Sequence, residues 1–269
     1  MICEKLSMMI ICYTMRKIRL LLEYDGTAYH GWQLQAKGDT LQGVIEDRIV
    51  KITGEHSRIV GASRTDAGVH ALGQTAIFRT GSGLDATTIK KALNAVLPRD
   101  IRVLDASEVD DSFHPRKDAV EKSYFYIIAN QRKSSVFFSR YSWLVVQQLD
   151  IRSMKEAAEV LIGSHDFSSF MGTGSDIQSP VREILSLSIE RLESIDFMTV
   201  ALNGNFIKIR IAANGFLRHM VRNIVGTLAE IGRGRTHTDT MKEILNSRDR
   251  KRAGRTAPPN GLFLERIVY

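Results

Sequence analysis

Two successive series of short apolar strands, each broken by amphipathic helices, run through this chain, and few architectures accommodate such an order. In the first series, residues 16–24 read as a strand, followed by a loop at Asp25-Gly26-Thr27 and an aromatic patch at Tyr29-His30-Gly31-Trp32. Asp39 and Gln42 are spaced as a capping box, Leu41, Val44, Ile45 and Ile49 follow at helical spacing, and Gly54 ends the helix. Strands are expected over 57–60 and 73–79, then a second helix lined by Ile89, Leu93, Val96 and Leu97 that stops at Pro98, then a strand over 101–106.

The second series opens with a strand over 124–128, and Met154, Ala157, Ala158, Leu161 and Ile162 form one helical face ending at Gly163. Strands over 181–191 and 205–213 precede a long helix over 215–231. Leu217, Val221, Ile224, Leu228 and Ile231 form its packing side, and Arg218 and Arg222 lie a turn apart on a basic one. The pattern predicts an α+β fold: two similar α/β lobes whose mostly antiparallel sheets join into one extended sheet, helices on one side, with a cleft between the lobes. A polar stretch over 112–121 containing Pro115 marks the boundary, dividing an N-terminal domain, 15–115, from a C-terminal one, 116–269. Residues 1–14 carry an apolar run, Met8 to Tyr13, too short to span a bilayer and without a small-residue cleavage site. They are read as a disordered extension outside the fold, and no membrane segment is expected.

Within this frame the run Gly61-Ala62-Ser63-Arg64-Thr65-Asp66-Ala67-Gly68-Val69-His70-Ala71 is the candidate catalytic centre. Asp66 follows an apolar strand end and precedes any helical periodicity, so it belongs to a loop on a rigid scaffold. A guanidinium beside it favours the ionised carboxylate, and the planar fork of Arg64 is suited to hold one oxygen and leave the other free. Such a group serves as nucleophile or base. The plainer reading is an Asx-turn.

Charge bears on the partner. Thirty-seven Lys and Arg against 30 Asp and Glu give a net charge of +7, which favours a polyanion. Cys3 and Cys12 both lie near the N-terminus, so neither a disulfide framework nor a Cys/His zinc cluster is expected, and the compartment is read as the cytoplasm. The histidines are scattered without a His-x-x-x-His pair, and no metal is expected.

Tyr124, on a strand just after Glu121-Lys122-Ser123, is placed either to stack on a nucleobase or to fill the core. Arg222 is suited to a phosphate, to Asp66, or to solvent. His70, Arg116, Lys122 and Arg218 are candidate RNA contacts; His70 and His114 are suited to touch RNA but are read first as satisfied structural histidines.

Taken together the motifs resemble the tRNA pseudouridine synthase A family. The resemblance runs through Tyr24-Asp25-Gly26-Thr27 with Gly31-Trp32-Gln33, Arg64 to Ala71, Leu93-Asn94-Ala95-Val96-Leu97-Pro98 and Lys122 to Tyr126. It continues through Gly163-Ser164-His165-Asp166-Phe167, Asn214 to Gly226 and Thr256 to Leu262, collinear over residues 16–269. Ser63 stands where the family more often has Gly, and Pro115 where Ala is more usual. The resemblance implies a cofactor-free homodimeric enzyme that isomerises uridine to pseudouridine at positions 38 to 40 of the tRNA anticodon stem-loop. It implies Asp66 as the catalytic aspartate, Arg64 as its ion-pair partner, Tyr124 as the ring stacked on the target uracil and Arg222 as a second basic group in the cleft.

The reaction so implied cleaves the N1–C1′ bond, turns the uracil and joins C5 to C1′, which requires no redox agent, metal or phosphate donor. Attack at C1′, attack at uracil C6 and removal of the C2′ proton all need an ionised carboxylate. A stem uridine first leaves its stack at a cost of a few kcal/mol. The competing readings are a non-catalytic tRNA-binding module or RNA chaperone using the same basic groove, and a hydrolytic glycosidase, which needs two carboxylates flanking the bond.

Overall fold

The computed structural model describes residues 15–133, 135–174, 179–197 and 199–269; the extension expected over 1–14 lies outside the described residues. The first series gives β1 (Arg16–Tyr24), α1 (Leu41–Thr53), β2 (Val60–Gly61), β3 (His70–Thr80), α2 (Ala86–Val96) and β4 (Ile101–Val109). The second gives β5 (Glu121–Ala129), α3 (Val136–Ser139), β6 (Trp143–Leu144), α4 (Ile151–Glu159), β7 (Gly163–Asp166), β8 (Val181–Phe197), β9 (Val200–Ala213), α5 (Met220–Gly232), α6 (Thr240–Ser247) and β10 (Leu262–Val268).

The strands form one extended sheet in the order β4-β1-β3-β10-β5-β9-β8-β7, with β2 pairing to β3 and β6 to β5. It is mostly antiparallel; β10 runs parallel to β3 and antiparallel to β5. The sheets of the two series do join, and the joining strand is β10, which the sequence reading left unassigned. Leu262 and Leu264 alternate inward there, but seven residues are too few for the period to stand out beside the adjoining Pro258-Pro259-Asn260-Gly261 turn.

Burial alternates along the strands as in a sheet covered on one face: Ile18, Leu20, Leu22 and Tyr24 of β1 are buried while Arg19, Leu21 and Glu23 are partly open. Helix α2 packs on β4, and α4 packs on both α5 and β8. Helix α1 is capped by Thr40, whose hydroxyl accepts from the Gly43 amide at 3.3 Å, and ends at Gly54 with φ 76°. The capping box expected at Asp39 and Gln42 is not used, because the Gln42 side chain bonds Gln33 and Glu46 instead.

Helix α5 departs further from expectation. It begins at Met220 rather than 215, and most of its circumference is buried, including Val221, Asn223, Ile224, Gly226, Thr227 and Leu228. Arg218 therefore precedes the helix and does not share a basic face with Arg222. The reason is tertiary. Gly226 lets the segment before β10 press on the helix, since a Cβ there would overlap the Arg255 carbonyl.

Candidate active site

The catalytic-loop candidate lies between β2 and β3 and is fixed by the segment that follows β1. Gln74, fully buried, donates to the Ser63 carbonyl at 2.7 Å and accepts from the Ser63 amide at 3.2 Å. The Tyr24 hydroxyl pairs with Thr65 Oγ1 at 2.8 Å, and the Trp32 amide donates to the Thr65 carbonyl at 3.0 Å. Gly68, with φ 76°, turns the chain after Asp66 so that the Val69 amide reaches the Asp66 carbonyl at 3.1 Å. Asp66 thus projects from a loop whose backbone is tied on both sides, an arrangement suited to presenting one side chain.

The carboxylate meets the C-terminal lobe directly. Arg222 Nη1 donates to Asp66 Oδ2 at 2.9 Å, and Arg222 Nε donates to the Ala257 carbonyl at 2.8 Å. The Ala257 amide returns a bond to the Arg222 carbonyl at 3.0 Å, so the guanidinium is aimed by the segment that leads to β10. His219 Nε2 lies 3.5 Å from the same oxygen. No described residue pairs with Oδ1. With side-chain exposures of 23% for Asp66 and 13% for Arg222, the pair is partly open to solvent rather than sealed in the core.

The expected pairing of Asp66 with Arg64 is therefore corrected: Arg222 fills that position across the seam. Arg64 is exposed and makes no hydrogen bond or ion pair with a described residue. Arg222, in the first turn of α5, reaches the carboxylate instead.

Tyr124 on β5 is buried, its hydroxyl 2.6 Å from Ser63 Oγ and its ring edge-on to Phe216 with centroids 5.1 Å apart. Burial pushes the phenol well above its ordinary value, the Ser63 hydrogen bond opposes this, and the charge of Asp66 adds to the rise. The ring is thus a neutral neighbour of the carboxylate, and Ser63 is the residue that tethers it.

The remaining RNA-contact candidates divide. His70 is 1% exposed, stacked on Phe263 at 4.7 Å with Nδ1 3.0 Å from Asp25 Oδ1, and so is interior and out of reach of RNA. Lys122 is buried also. Its Nζ donates to the Ala62 carbonyl at 2.8 Å, and burial, reinforced by Arg116 and Arg182, lowers its pKa to about 8. Arg116 is exposed, with Nη2 3.3 Å from the Gly61 carbonyl, and Arg218 is exposed, with Nη1 3.0 Å from the Thr173 carbonyl. His114 caps its own turn, Nδ1 accepting from the Arg116 amide at 3.1 Å.

Two groups escaped the sequence reading. His219 sits within the quoted Asn214–Gly226 motif, and its place one residue after Arg218 and three before Arg222 was the available signal. Arg182 was given no role; it is one of the charges acting on Lys122. Among the described residues no group of His, Cys, Asp and Glu side chains could hold a metal ion, and no helix is long and apolar enough to cross a membrane.

Comparison with known proteins accords with this geometry. The family model described as tRNA pseudouridine synthase matches residues 21–116 and 157–269, which include Asp66 and the whole of α5. The chain is similar to tRNA pseudouridine synthase A of Thermoanaerobacter sp. (strain X514), 47% identical over 95% of this chain and 100% of the relative. It is 46% identical to that of Acetivibrio thermocellus and 43% to that of Thermodesulfovibrio yellowstonii, over the same shares of both chains. The chain belongs to the tRNA pseudouridine synthase family.

Proposed function

We propose that this protein isomerises uridine to pseudouridine at positions 38 to 40 of the tRNA anticodon stem-loop, with Asp66 as the catalytic carboxylate. It acts without a cofactor, in the cytoplasm, as a homodimer with tRNA lying across both subunits. The observation that carries the reading is the asymmetric carboxylate: Oδ2 is bound by Arg222 from the opposite lobe while Oδ1 has no partner among the described residues.

An unstacked uridine enters the opening, and Tyr124 offers it a ring beside the carboxylate. Exposed Arg64, Arg116 and Arg218 supply phosphate contacts, in keeping with the net charge of +7. Oδ1 then acts on the nucleoside, and the fixed ion pair holds the charge in place with little reorganisation. Isomerisation balances within the substrate: the N1–C1′ bond breaks, C5–C1′ forms, the C5 proton leaves and N1 gains one. The domains 15–115 and 116–269 are the two walls of this cleft.

Carbodiimide primer extension on tRNA incubated with the protein tests the reading. Stops at positions 38 to 40 are expected in an unbroken chain. Free uracil with abasic sites would mean hydrolysis, and unmodified but tightly bound tRNA would mean a binding module; either outcome overturns the proposal.

A further inference from the structure

His219 occupies a backbone conformation that histidine adopts at a cost. Its φ of 61° lies in the left-handed region, favoured by Gly and Asn. It stands at the N-cap of the 13-residue α5 yet makes no side-chain capping hydrogen bond, so the helix gains nothing from the imidazole. The ring instead has a space made for it. Gly172 backs it, and a Cβ there would fall 2.7 Å from Nδ1, while the Gly172 amide bonds the Arg218 carbonyl at 2.8 Å. On the other side Nε2 reaches to 3.5 Å from Asp66 Oδ2, the oxygen that Arg222 already binds.

We propose that His219 is a positioning residue for Asp66: its imidazole, beside Arg222, confines Oδ2 and so fixes Oδ1 as the oxygen turned to the substrate. This rests on the reading of Asp66 as the catalytic carboxylate. The charged groups facing the ring are Asp66 on the loop, Arg222 on α5, Arg218 just before it and Arg250 on the 250–252 turn. Burial and the arginines press the imidazole below its ordinary value, with Asp66 opposing them. At neutral pH the ring adds no second cation. When it protonates at lower pH, Oδ2 is held by two cations, the carboxylate is less reactive, and the rate falls.

Single-turnover rates of pseudouridine formation over roughly pH 5 to 8 for the wild-type protein, His219→Asn and His219→Gln test this. Asn accepts the left-handed backbone, so His219→Asn separates the ring from the fold. Both variants should lose roughly tenfold to hundredfold in rate with tRNA affinity unchanged. Their acid limb should move to lower pH. Folded variants that keep the wild-type rate or the wild-type acid limb would overturn the proposal. Imidazole NMR titration gives an arm that needs no turnover: His219, assigned by its loss in His219→Asn, should titrate at lower pH in Asp66→Asn than in wild type. An unchanged titration overturns the contact itself, whereas a shifted titration in a protein that makes no pseudouridine overturns only the assigned reaction.

Discussion

At the residue scale, the two oxygens of Asp66 have different surroundings, and the difference comes from opposite lobes. The sequence made the aspartate legible through its loop position, but the partner expected first was Arg64, two residues away, with Arg222 one of the alternatives. Local proximity is a poor guide where the chain is extended, and the observed partner is 156 residues distant. Lys122, expected as an RNA contact, is buried for a related reason, since polar type is visible in a sequence and burial is not, while the burial of His70 fits its structural reading. Tyr124 has a role for both ring and hydroxyl. Tyr124→Phe leaves Ser63 Oγ without its partner at a cost of about 1 kcal/mol, while Tyr124→Ala also removes the ring facing Phe216 and costs about 3–5 kcal/mol. Turnover should follow the same order, and equal losses in steady-state rate would point to the hydroxyl alone. For Lys122 the prediction concerns pH. Its folded pKa of about 8 lies below the ordinary 10.5, so above about 8 the unfolded chain binds the extra proton and stability rises with pH. Between about pH 8 and 10, wild type should gain thermal stability relative to Lys122→Met; a constant difference in melting temperature would contradict the lowered value.

At the element scale, α5 organises the site by being buried rather than amphipathic. Its apolar spacing was readable, whereas its start and its covered far side were not, because both depend on residues 255–257 arriving from elsewhere in the chain. The same contact aims Arg222. Gly226→Ala should therefore do two things. It should destabilise the protein by about 1–3 kcal/mol, read by denaturant unfolding, because the Arg255 carbonyl must move. It should also lower turnover more than the lost stability explains, since displacing Ala257 releases the Arg222 guanidinium. A variant of wild-type stability would show that the helix and the segment do not meet as described. The candidate loop was more legible than the helix, as its turn residue Gly68 is adjacent in sequence, although the Tyr24 and Trp32 contacts that fix it come from a distant part of the chain.

At the scale of the whole molecule, β10 makes one body of two series of elements. It comes from the far end of the chain and pairs with β3 on one side and β5 on the other. The class of fold was legible from the repeated order of strands and helices, but the closing strand required long-range pairing that periodicity does not report. The two tryptophans test the consequence, Trp32 in the first half and Trp143 in the second, both buried. Their fluorescence, read separately in Trp143→Phe and Trp32→Phe, should melt together. Leu264→Ala should lower both transitions alike by about 2–5 kcal/mol. Separate transitions would mean that β10 does not couple the halves.

The most direct measurement of the central claim is tritium release from 5-labelled uridine in tRNA by Asp66→Asn, with tRNA binding measured on the same preparation. Release should fall to background while binding stays close to wild type, because the amide keeps the shape of the side chain and loses its charge. Substantial release from the variant would contradict the claim.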